Sequence, residues 1–394
     1  MKNDFHIEFD CYQKYADKEV VSGDVFLVNR EQEEGRTVLI LSDGLGHGIK
    51  AHVQAMLTAS MVMDFTKSHT DPEIAANIIS RTLPSDEKRS GFATFSVITI
   101  ERDGTIRIEN FENPFCIILR GNEILEDIKW QRIPIEGCKT IERLIYKTEF
   151  VAEKEDRIIF FTDGIIESGM GTVKNPKGWG TEKLAAFALN QVDHHKDISA
   201  TSLTRRIVNQ AAMNDGYVLK DDCSCGVVYV RTPRLLNIVT GPPFFKDRDA
   251  DFARKAKSLK GEKILMGGTT GEILSRELGI KIQTEYTFTD SALPPKSLME
   301  GFDLVTEGIL TLTKVEQLLE AHNAETRLGN SPAEEIVKSI LQHDRIQFIV
   351  GTRINWAHQN PDQKEDIEIR KNVIIRLIRL LREKFFKEVD AEYF

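Results

Sequence analysis

The chain has 394 residues, of which 41% are hydrophobic and 29% are charged, and its formal net charge is −9. This length suggests two domains, because single domains usually hold about 100–200 residues. The negative charge argues against a dedicated nucleic-acid-binding protein, since such proteins need clustered lysine and arginine. No run approaches the roughly 20 apolar residues of a membrane span, and five irregularly spaced cysteines do not form a disulfide framework. We therefore expect a cytoplasmic protein.

Strand signals dominate the first half of the chain, where short runs of β-branched and aliphatic residues alternate with polar stretches. The predicted strands are 25–28, 37–41, 92–100, 105–111, 115–119, 144–151, 156–162 and 224–230. Apolar residues at helical spacing predict helices over 48–66, 72–82 and within 181–214. Many strands with few helices favour an α+β fold, with a β-sandwich flanked by helices, for residues 1–232.

The pattern changes near Thr232–Pro233–Arg234, after which strands and helices alternate. The predicted strands are 235–239, 263–265, 302–305 and 346–350, and the predicted helices are 250–259, 270–278, 314–321 and 367–387. Alternation of this kind indicates a smaller α/β domain with a mostly parallel sheet over residues 233–394. The long final helix either packs within this domain or pairs with a second subunit, so a homodimer stays open.

Acidic residues stand at the ends of several predicted strands. Asp24 begins one strand and Asp43 ends the next, so an antiparallel hairpin would place both at one edge of a sheet. Asp163 ends another strand, and Asp221–Asp222 precede the last strand of this half. Strand ends can thus bring two separated carboxylate pairs together.

Carboxylates held close together resist joint ionisation unless a cation lies among them. Mg²⁺ and Mn²⁺ prefer carboxylate, carbonyl and water oxygens. A glycine directly after Asp43, as at Gly44, lets a backbone carbonyl approach a metal closely. Two such ions lower the pKa of a shared water and hold a phosphoryl group for in-line attack. Such a centre would hydrolyse a phosphomonoester without a protein nucleophile. Each Asp–Gly motif taken alone is also typical of an ordinary turn, so both interpretations stay open at this point.

Several motifs occur in the order known from one enzyme family. They are Gly23–Asp24, Ser42–Asp43–Gly44–Leu45–Gly46–His47–Gly48, Phe92–Ala93–Thr94–Phe95, Phe161–Thr162–Asp163–Gly164 and Asp221–Asp222. Over about residues 5–231 the chain resembles the PPM (type 2C) protein phosphatases, in particular the bacterial SpoIIE-type branch. The resemblance implies a β-sandwich with flanking helices and a centre of two Mn²⁺ or Mg²⁺ ions that acts on phosphoserine or phosphothreonine.

Positions in the motifs assign roles by this resemblance. The implied metal ligands are Asp24, Asp43, Gly44 through its carbonyl, Asp163 and Asp221. Asp43 would bridge both ions, and Asp222 would support the ligands from behind. The helical segment between Asp163 and Asp221 resembles the regulatory switch region of this branch.

Two further residues near the motifs have alternative interpretations. His47 lies about one helical turn from Asp43 and would serve either as a general acid toward the leaving serine oxygen or as a packing and hydrogen-bonding group at the helix N-terminus. Glu167 would hydrogen-bond a metal-bound water or begin the following helix as an exposed charge.

The second domain contains a glycine-rich turn between a predicted strand and a predicted helix. Such a turn can present backbone N–H groups to an anion, although this one is neither a Walker A nor a G-x-G-x-x-G sequence. Glu307 follows another strand in a comparable place. The candidate ligand-binding residues are Gly267, Gly268, Thr269, Thr270 and Glu307. Tight-turn glycines without a ligand and a sensor of a small anion or nucleotide are the two interpretations.

Two functions from different classes follow. The first is a phosphatase that acts on a phosphorylated protein in bacterial signalling, for example a protein like an anti-sigma antagonist. The two-domain layout also resembles SpoIIE-type phosphatases that occur with iron-only hydrogenases, which makes a hydrogenase-associated target a further expectation. The second function is a non-catalytic scaffold whose C-terminal domain senses a small anionic ligand or binds a partner.

Overall fold

A computed structural model describes residues 5–31, 34–82, 93–135, 143–284, 296–323, 326–352 and 364–394, with the side chains of 80–82 and 364–369 excepted. Phe92, the first residue of a predicted strand and motif, lies outside these ranges. The chain forms two compact units, Met1–Thr232 and Pro233–Phe394. Within the described residues, no helix combines the length and apolar character that crossing a bilayer requires.

Eleven strands and five helices are described in the first unit. The strands are β1 (His6–Lys14), β2 (Asp24–Glu31), β3 (Arg36–Asp43), β4 (Thr94–Ile100), β5 (Thr105–Phe111), β6 (Ile117–Arg120), β7 (Glu123–Ile124), β8 (Gln131–Ile135), β9 (Arg143–Val151), β10 (Asp156–Phe161) and β11 (Cys223–Arg231). The helices are α1 (Gly48–Lys67), α2 (Pro72–Thr82), α3 (Asp163–Glu167), α4 (Thr181–His194) and α5 (Ala200–Asn214).

These elements form the predicted sandwich of two antiparallel sheets between helices. One sheet has the strand order β2-β3-β4-β5-β9-β8 and the other has the order β1-β11-β10-β6-β7. Side chains such as Leu41, Ile98 and Phe160 fill the space between the two sheets. Helices α1 and α2 cover the outer face of the first sheet, and α4 and α5 cover that of the second.

The two sheets and the helices on their outer faces form four layers, and this arrangement explains why some strands are apolar on both faces. Strands β10 and β11 are buried along their whole length, because one face meets the other sheet and the opposite face meets helices. The β4–β5 hairpin turns at Asp103, whose Oδ1 accepts a hydrogen bond from the Thr105 N–H at 2.9 Å. Gly104 follows with φ +92°, as such a turn requires.

Three features of this unit were not predicted. Strand β1 pairs with β11 from His6 to Lys14, but its half-buried, mostly polar sequence lacks a clear alternation. Strand β8 contains a proline and lies at a sheet edge. The helical region 181–214 is two helices, because Ser199 ends the intervening turn and caps α5 by accepting a hydrogen bond from the Ser202 N–H at 3.1 Å.

The second unit has seven strands and five helices among its described residues. The strands are β12 (Leu235–Thr240), β13 (Glu262–Met266), β14 (Ile282–Thr284), β15 (Ser297–Met299), β16 (Phe302–Thr306), β17 (Arg345–Val350) and β18 (Glu388–Tyr393). The helices are α6 (Asp249–Ser258), α7 (Gly268–Leu278), α8 (Ile309–Ala321), α9 (Pro332–Gln342) and α10 (Lys364–Glu383), with a 3₁₀ turn at Lys246–Arg248.

The sheet of this unit is mostly parallel, as predicted, in the order β14-β15-β16-β13-β12-β17-β18. Its parallel strands thus lie in the order third, second, first, fourth and fifth along the chain, which is a doubly wound arrangement. Helices α6 and α7 pack on one apolar cluster and α8, α9 and α10 on another. Helix α9 was not predicted, although Ser331 and Glu334 form a complete capping box at its start.

Candidate metal centre

The two N-terminal aspartates lie side by side at one edge of the first sheet. In the antiparallel register of β2 and β3, Asp24 is directly opposite Asp43, which confirms the predicted hairpin geometry. Asp43 in turn lies opposite Thr94 of β4. The carboxyl groups of Asp24 and Asp43 lie within hydrogen-bonding reach of each other. Their contact becomes a hydrogen bond only when one of the two is protonated.

Asp24 also connects this sheet to the second one. Its side chain is buried, and Oδ2 accepts hydrogen bonds from Thr162 Oγ1 at 2.9 Å and from Ser224 Oγ at 2.5 Å. The other oxygen, Oδ1, is buried and has no hydrogen-bond donor within the described part of the chain. Neither hydroxyl was recognised in the sequence, because each reaches Asp24 from across the sandwich.

The second pair of aspartates comes from the second sheet. Asp163 is the first residue of α3 and stands two residues after the end of β10, and Asp221 stands two residues before β11. Strands β10 and β11 are antiparallel, with Phe161 opposite Cys225, so the end of one meets the start of the other. Asp163 is exposed and Asp221 is half-buried. The structure therefore brings all four predicted aspartates to one edge of the sandwich.

Burial and mutual repulsion dominate the electrostatics of this edge. Burial raises the pKa of Asp24 and Asp43 well above the usual range of a carboxyl group, and the charges of Asp163 and Asp221 add to the rise at Asp43. Burial, and then the charge of Asp163, raise the pKa of Asp221 to about 6. Within the described ranges, no lysine or arginine pairs with these four carboxylates. Without a cation, the four carboxyl groups of this edge therefore resist joint ionisation.

This donor set suits a hard divalent cation. Mg²⁺ and Mn²⁺ prefer carboxylate oxygens as ligands. Oδ1 of Asp24 accepts no hydrogen bond from the described residues, so it is available to coordinate a cation. The described side chains do not include a ready-made group of three or more metal-ligating residues. The four carboxylates share one edge, but their side chains would have to move closer together to hold an ion.

Close packing requires a glycine at position 44, which the sequence did not reveal. A Cβ at this position would overlap the backbone carbonyl of Ala51 in α1. A Cβ at Gly164 would likewise overlap the backbone carbonyl of Asp222. Both glycines after the motif aspartates are thus needed for close approach of neighbouring backbone. The assignment of the Gly44 carbonyl as a metal ligand stays a prediction.

Asp222 lies behind this edge and holds a loop. Its side chain is buried, and Oδ1 accepts a hydrogen bond from the Ala16 N–H at 3.0 Å while Oδ2 accepts one from the Gly23 N–H at 2.8 Å. Both oxygens are therefore engaged by the two ends of the loop between β1 and β2, and the role of Asp222 in supporting the metal ligands stays a prediction.

His47 and Glu167 lie at the rim of this edge. His47 is the N-cap residue of α1 but makes no side-chain capping bond; instead its Nδ1 lies 2.8 Å from Glu19 Oε1. Glu167 is the last residue of α3 and does not begin a helix, so that alternative was wrong. Burial and the neighbouring charge of Asp163 raise the pKa of Glu167.

The candidate loops of the second unit also adjoin each other. Gly267 is the N-cap residue of α7 with φ +112°, and its N–H donates to the Thr306 carbonyl at 2.8 Å. Gly308 is the N-cap residue of α8, and its N–H donates a hydrogen bond to Glu307 Oε2 at 2.8 Å. Thr270 is buried and Gly268 is exposed. Ligand binding by Gly267, Gly268, Thr269, Thr270 and Glu307 stays a prediction.

Comparison with known proteins adds relatives of the first unit. The chain is 24% identical over 211 residues to Stage II sporulation protein E of Priestia megaterium, covering 51% of this chain and 35% of that protein. It is 22% identical over 232 residues to Stage II sporulation protein E of Bacillus subtilis (strain 168), covering 58% of this chain and 26% of that protein. The chain thus spans only about a third or less of these relatives.

Solved structures also match part of the chain. The phosphatase domain of SpoIIE from Bacillus subtilis matches with a TM-score of 0.43 and 16% identity, covering 58% of this chain and 94% of that one. RsbX in complex with magnesium matches with a TM-score of 0.39 and 17% identity, covering 57% and 96%. The family model of Stage II sporulation protein E (SpoIIE) matches residues 33–231, half of the chain. The protein therefore belongs to the SpoIIE family.

Proposed function

We propose that the first unit is a metal-dependent protein phosphatase that hydrolyses phosphoserine and phosphothreonine. The observation that carries this proposal is the cluster of Asp24, Asp43, Asp163 and Asp221, which gathers four carboxyl groups without a cationic partner among the described residues. Membership of the SpoIIE family supports it. Burying mutually repelling carboxylates costs stability, and a bound cation offsets that cost.

In this proposal, Asp24 and Asp43 hold one side of a two-ion Mn²⁺ or Mg²⁺ site, and Asp163 and Asp221 hold the other. Ions bound there would supply positive charge that activates water and neutralises the phosphoryl group. Thr162 and Ser224 fix Asp24 through its Oδ2. The substrate is a phosphorylated protein of bacterial signalling, with anti-sigma antagonist-like and hydrogenase-associated proteins as the candidates.

The test is hydrolysis of p-nitrophenyl phosphate by the full chain with Mn²⁺. We expect activity in the wild type and in Asp127→Ala, a matched aspartate that is exposed and belongs to none of the motifs. Asp43→Ala and Asp163→Ala should both abolish turnover, because each removes a ligand from the proposed site. Metal-independent activity, or full activity in either variant, would reject the two-ion assignment.

The second unit is proposed as a regulatory or ligand-binding domain. The alternative function, a non-catalytic scaffold, differs in one measurable respect, because a scaffold has no need for a cation at the carboxylate edge. Calorimetric titration with Mn²⁺ separates the two: heat of binding supports the enzyme, and its absence supports the scaffold. A thermal-shift panel of nucleotides and small anions is the matching test of the second unit.

A further inference from the structure

Four large apolar side chains are exposed on the two loops that follow α3 and α5. Met170 and Val173 lie on the loop after α3, and Tyr217 and Val218 lie on the loop after α5. Val173 is fully exposed, and Tyr217, Val218 and Met170 are 72%, 57% and 41% exposed. Single exposed apolar residues are common on protein surfaces, whereas several on adjoining loops are typical of an interaction site. We call these four residues the apolar patch.

Hydrogen bonds join the two loops into one surface. The Gly169 N–H, on the loop after α3, donates to Asp215 Oδ1 at 2.7 Å. Lys220 Nζ, on the loop after α5, donates to the Met170 carbonyl at 2.8 Å. The members of the apolar patch therefore belong to one surface and not to two unrelated loops.

The loop after α3 is anchored by its own buried side chains. Asn175 is buried, and its N–H donates to Thr172 Oγ1 at 3.1 Å. Trp179 is buried as well and packs against the Phe187 ring of α4, with 5.4 Å between the ring centroids. Val173 is thus presented by an anchored loop. Anchoring of this kind lowers the conformational entropy that is lost when a partner binds.

Tyr217 has a backbone conformation that glycine adopts more easily. Its φ is +64°, in the left-handed region, where a bulky side chain is strained. The side chain is mostly exposed, so packing within the chain does little to offset this strain. Strained positions cluster at binding and active sites, and tyrosine is among the residues that contribute most to protein–protein interfaces. Contact with another molecule therefore accounts for a tyrosine at this position.

The apolar patch lies close to the carboxylate edge. Helix α3 begins at Asp163 and has five residues, about 7.5 Å of helix, before the loop that carries Met170. Val218 is three positions before Asp221, so their Cα atoms are at most about 11 Å apart. An extended peptide of about six residues covers about 20 Å. A short segment can therefore place one residue at the carboxylates and its neighbours on the patch.

Lysine side chains accompany the patch. From Ser168 to Thr181 the sequence contains Lys174 and Lys177 and no acidic residue, although the whole chain has a net charge of −9. Both lysines are exposed. Positive groups at the border of a binding surface attract acidic partners and speed their encounter. The local charge therefore favours a phosphorylated, acidic protein segment as the occupant of this surface.

We propose that the apolar patch and its lysines bind the phosphoprotein substrate beside its phosphoserine, an inference that rests on the proposed phosphatase activity. Apolar side chains next to the phosphoserine pack on Val173 and Tyr217, and acidic side chains lie near Lys174 and Lys177. The surface contributes to the binding of a protein substrate and takes no part in the chemical step. A small phosphate ester does not use it.

The experiment measures kcat/KM of the full chain with Mn²⁺ on three substrates. These are p-nitrophenyl phosphate and two synthetic phosphoserine peptides of equal length, one with leucine and glutamate on both sides of the phosphoserine and one with glycine and serine instead. In wild type we expect a preference of about 10-fold for the leucine peptide, because burial of one large apolar side chain is worth a factor of this size. The nitrophenyl ester reports on the chemical step alone.

Val173→Ser and Tyr217→Gly remove the two most exposed side chains of the patch. Each should lower kcat/KM on the leucine peptide by about 10-fold, mainly through KM, and should change the values on the other two substrates by less than about 2-fold. Tyr217→Gly should not lower Tm, because glycine adopts a φ of +64° without strain. Val151→Ser, at an exposed valine that ends β9, is the matched control and should leave all three values unchanged.

The outcomes separate the two levels of the proposal. Absence of wild-type turnover on all three substrates overturns the proposed phosphatase, and the substrate surface with it. Turnover of p-nitrophenyl phosphate without a preference between the peptides, or equal losses on all substrates in the variants, overturns the surface alone. Light scattering tests a second copy of the chain as the occupant: a wild-type dimer that Val173→Ser dissociates would make the patch an interface between copies and would also overturn the proposal.

Discussion

Asp24 and Asp222 differ in their hydrogen bonding, so we expect replacement by asparagine to stabilise the protein at position 24 and to destabilise it at position 222. Asp24 Oδ2 accepts hydrogen bonds from two hydroxyl groups, but Oδ1 has no donor among the described residues and the Asp43 carboxyl lies close by. In Asp24→Asn the amide oxygen can keep the hydroxyl donors while the amide nitrogen donates to Asp43. The change makes this hydrogen bond independent of pH and removes the free-energy cost of either protonating or ionising a buried carboxyl group.

In Asp222→Asn the opposite holds. The two oxygens of Asp222 accept hydrogen bonds from the backbone N–H groups of Ala16 and Gly23. In the variant, the amide nitrogen replaces one of these oxygens and therefore faces an N–H group, so two donors meet without an acceptor. A buried donor left without an acceptor costs about 1–3 kcal/mol. The free energy gained in Asp24→Asn should be of similar size, about 1–3 kcal/mol.

The assay is calorimetric melting of the metal-free full chain. For a unit of this size, each kcal/mol changes the melting temperature by about 2–4 °C, so Asp24→Asn should raise Tm by about 2–12 °C and Asp222→Asn should lower it by a similar amount. Addition of Mn²⁺ should raise the Tm of wild type, by mass action, more than that of Asp24→Asn. If Asp24→Asn lowers Tm as much as Asp222→Asn does, the carboxylate edge is not electrostatically strained and the reasoning is wrong.

Three further expectations concern stability. Because the pKa values of Asp24 and Asp43 are raised, the folded state binds more protons than the unfolded chain above about pH 4. The Tm of the metal-free protein should therefore fall as the pH rises from 5 to 8. Bound Mn²⁺ should make Tm less dependent on pH. Gly44→Ala should lose about 1–3 kcal/mol, seen as a lower denaturation midpoint, because its Cβ overlaps Ala51. Ser331→Ala should lose about 1 kcal/mol in urea unfolding through loss of the α9 cap.

The sequence predicted the parts of the fold and site that depend on local pattern. Asp24 and Asp43 stand at the start and end of consecutive strands, so a hairpin alone brings them together. The alternation of strands and helices after Thr232 was likewise sufficient to predict a parallel sheet.

The local sequence pattern could not predict the contacts between the two sheets of the sandwich. Thr162 and Ser224 bind Asp24 from the other sheet, and no spacing along the chain indicates which hydroxyl will face which carboxylate. Glu19 contacts His47 from the loop between β1 and β2, whose two ends Asp222 holds, and no local pattern indicates this contact. Gly44 was interpreted as a glycine that exposes its carbonyl, whereas its close neighbour is the backbone of α1.

The central claim is that the carboxylate edge exists to bind divalent metal. Isothermal titration of the metal-free full chain with Mn²⁺ tests it most directly, with Asp43→Asn as the comparison. We predict saturable binding in wild type, with about two ions per chain, and a marked loss of binding in Asp43→Asn. Absence of Mn²⁺ binding in wild type, or equal binding in both proteins, would contradict the claim.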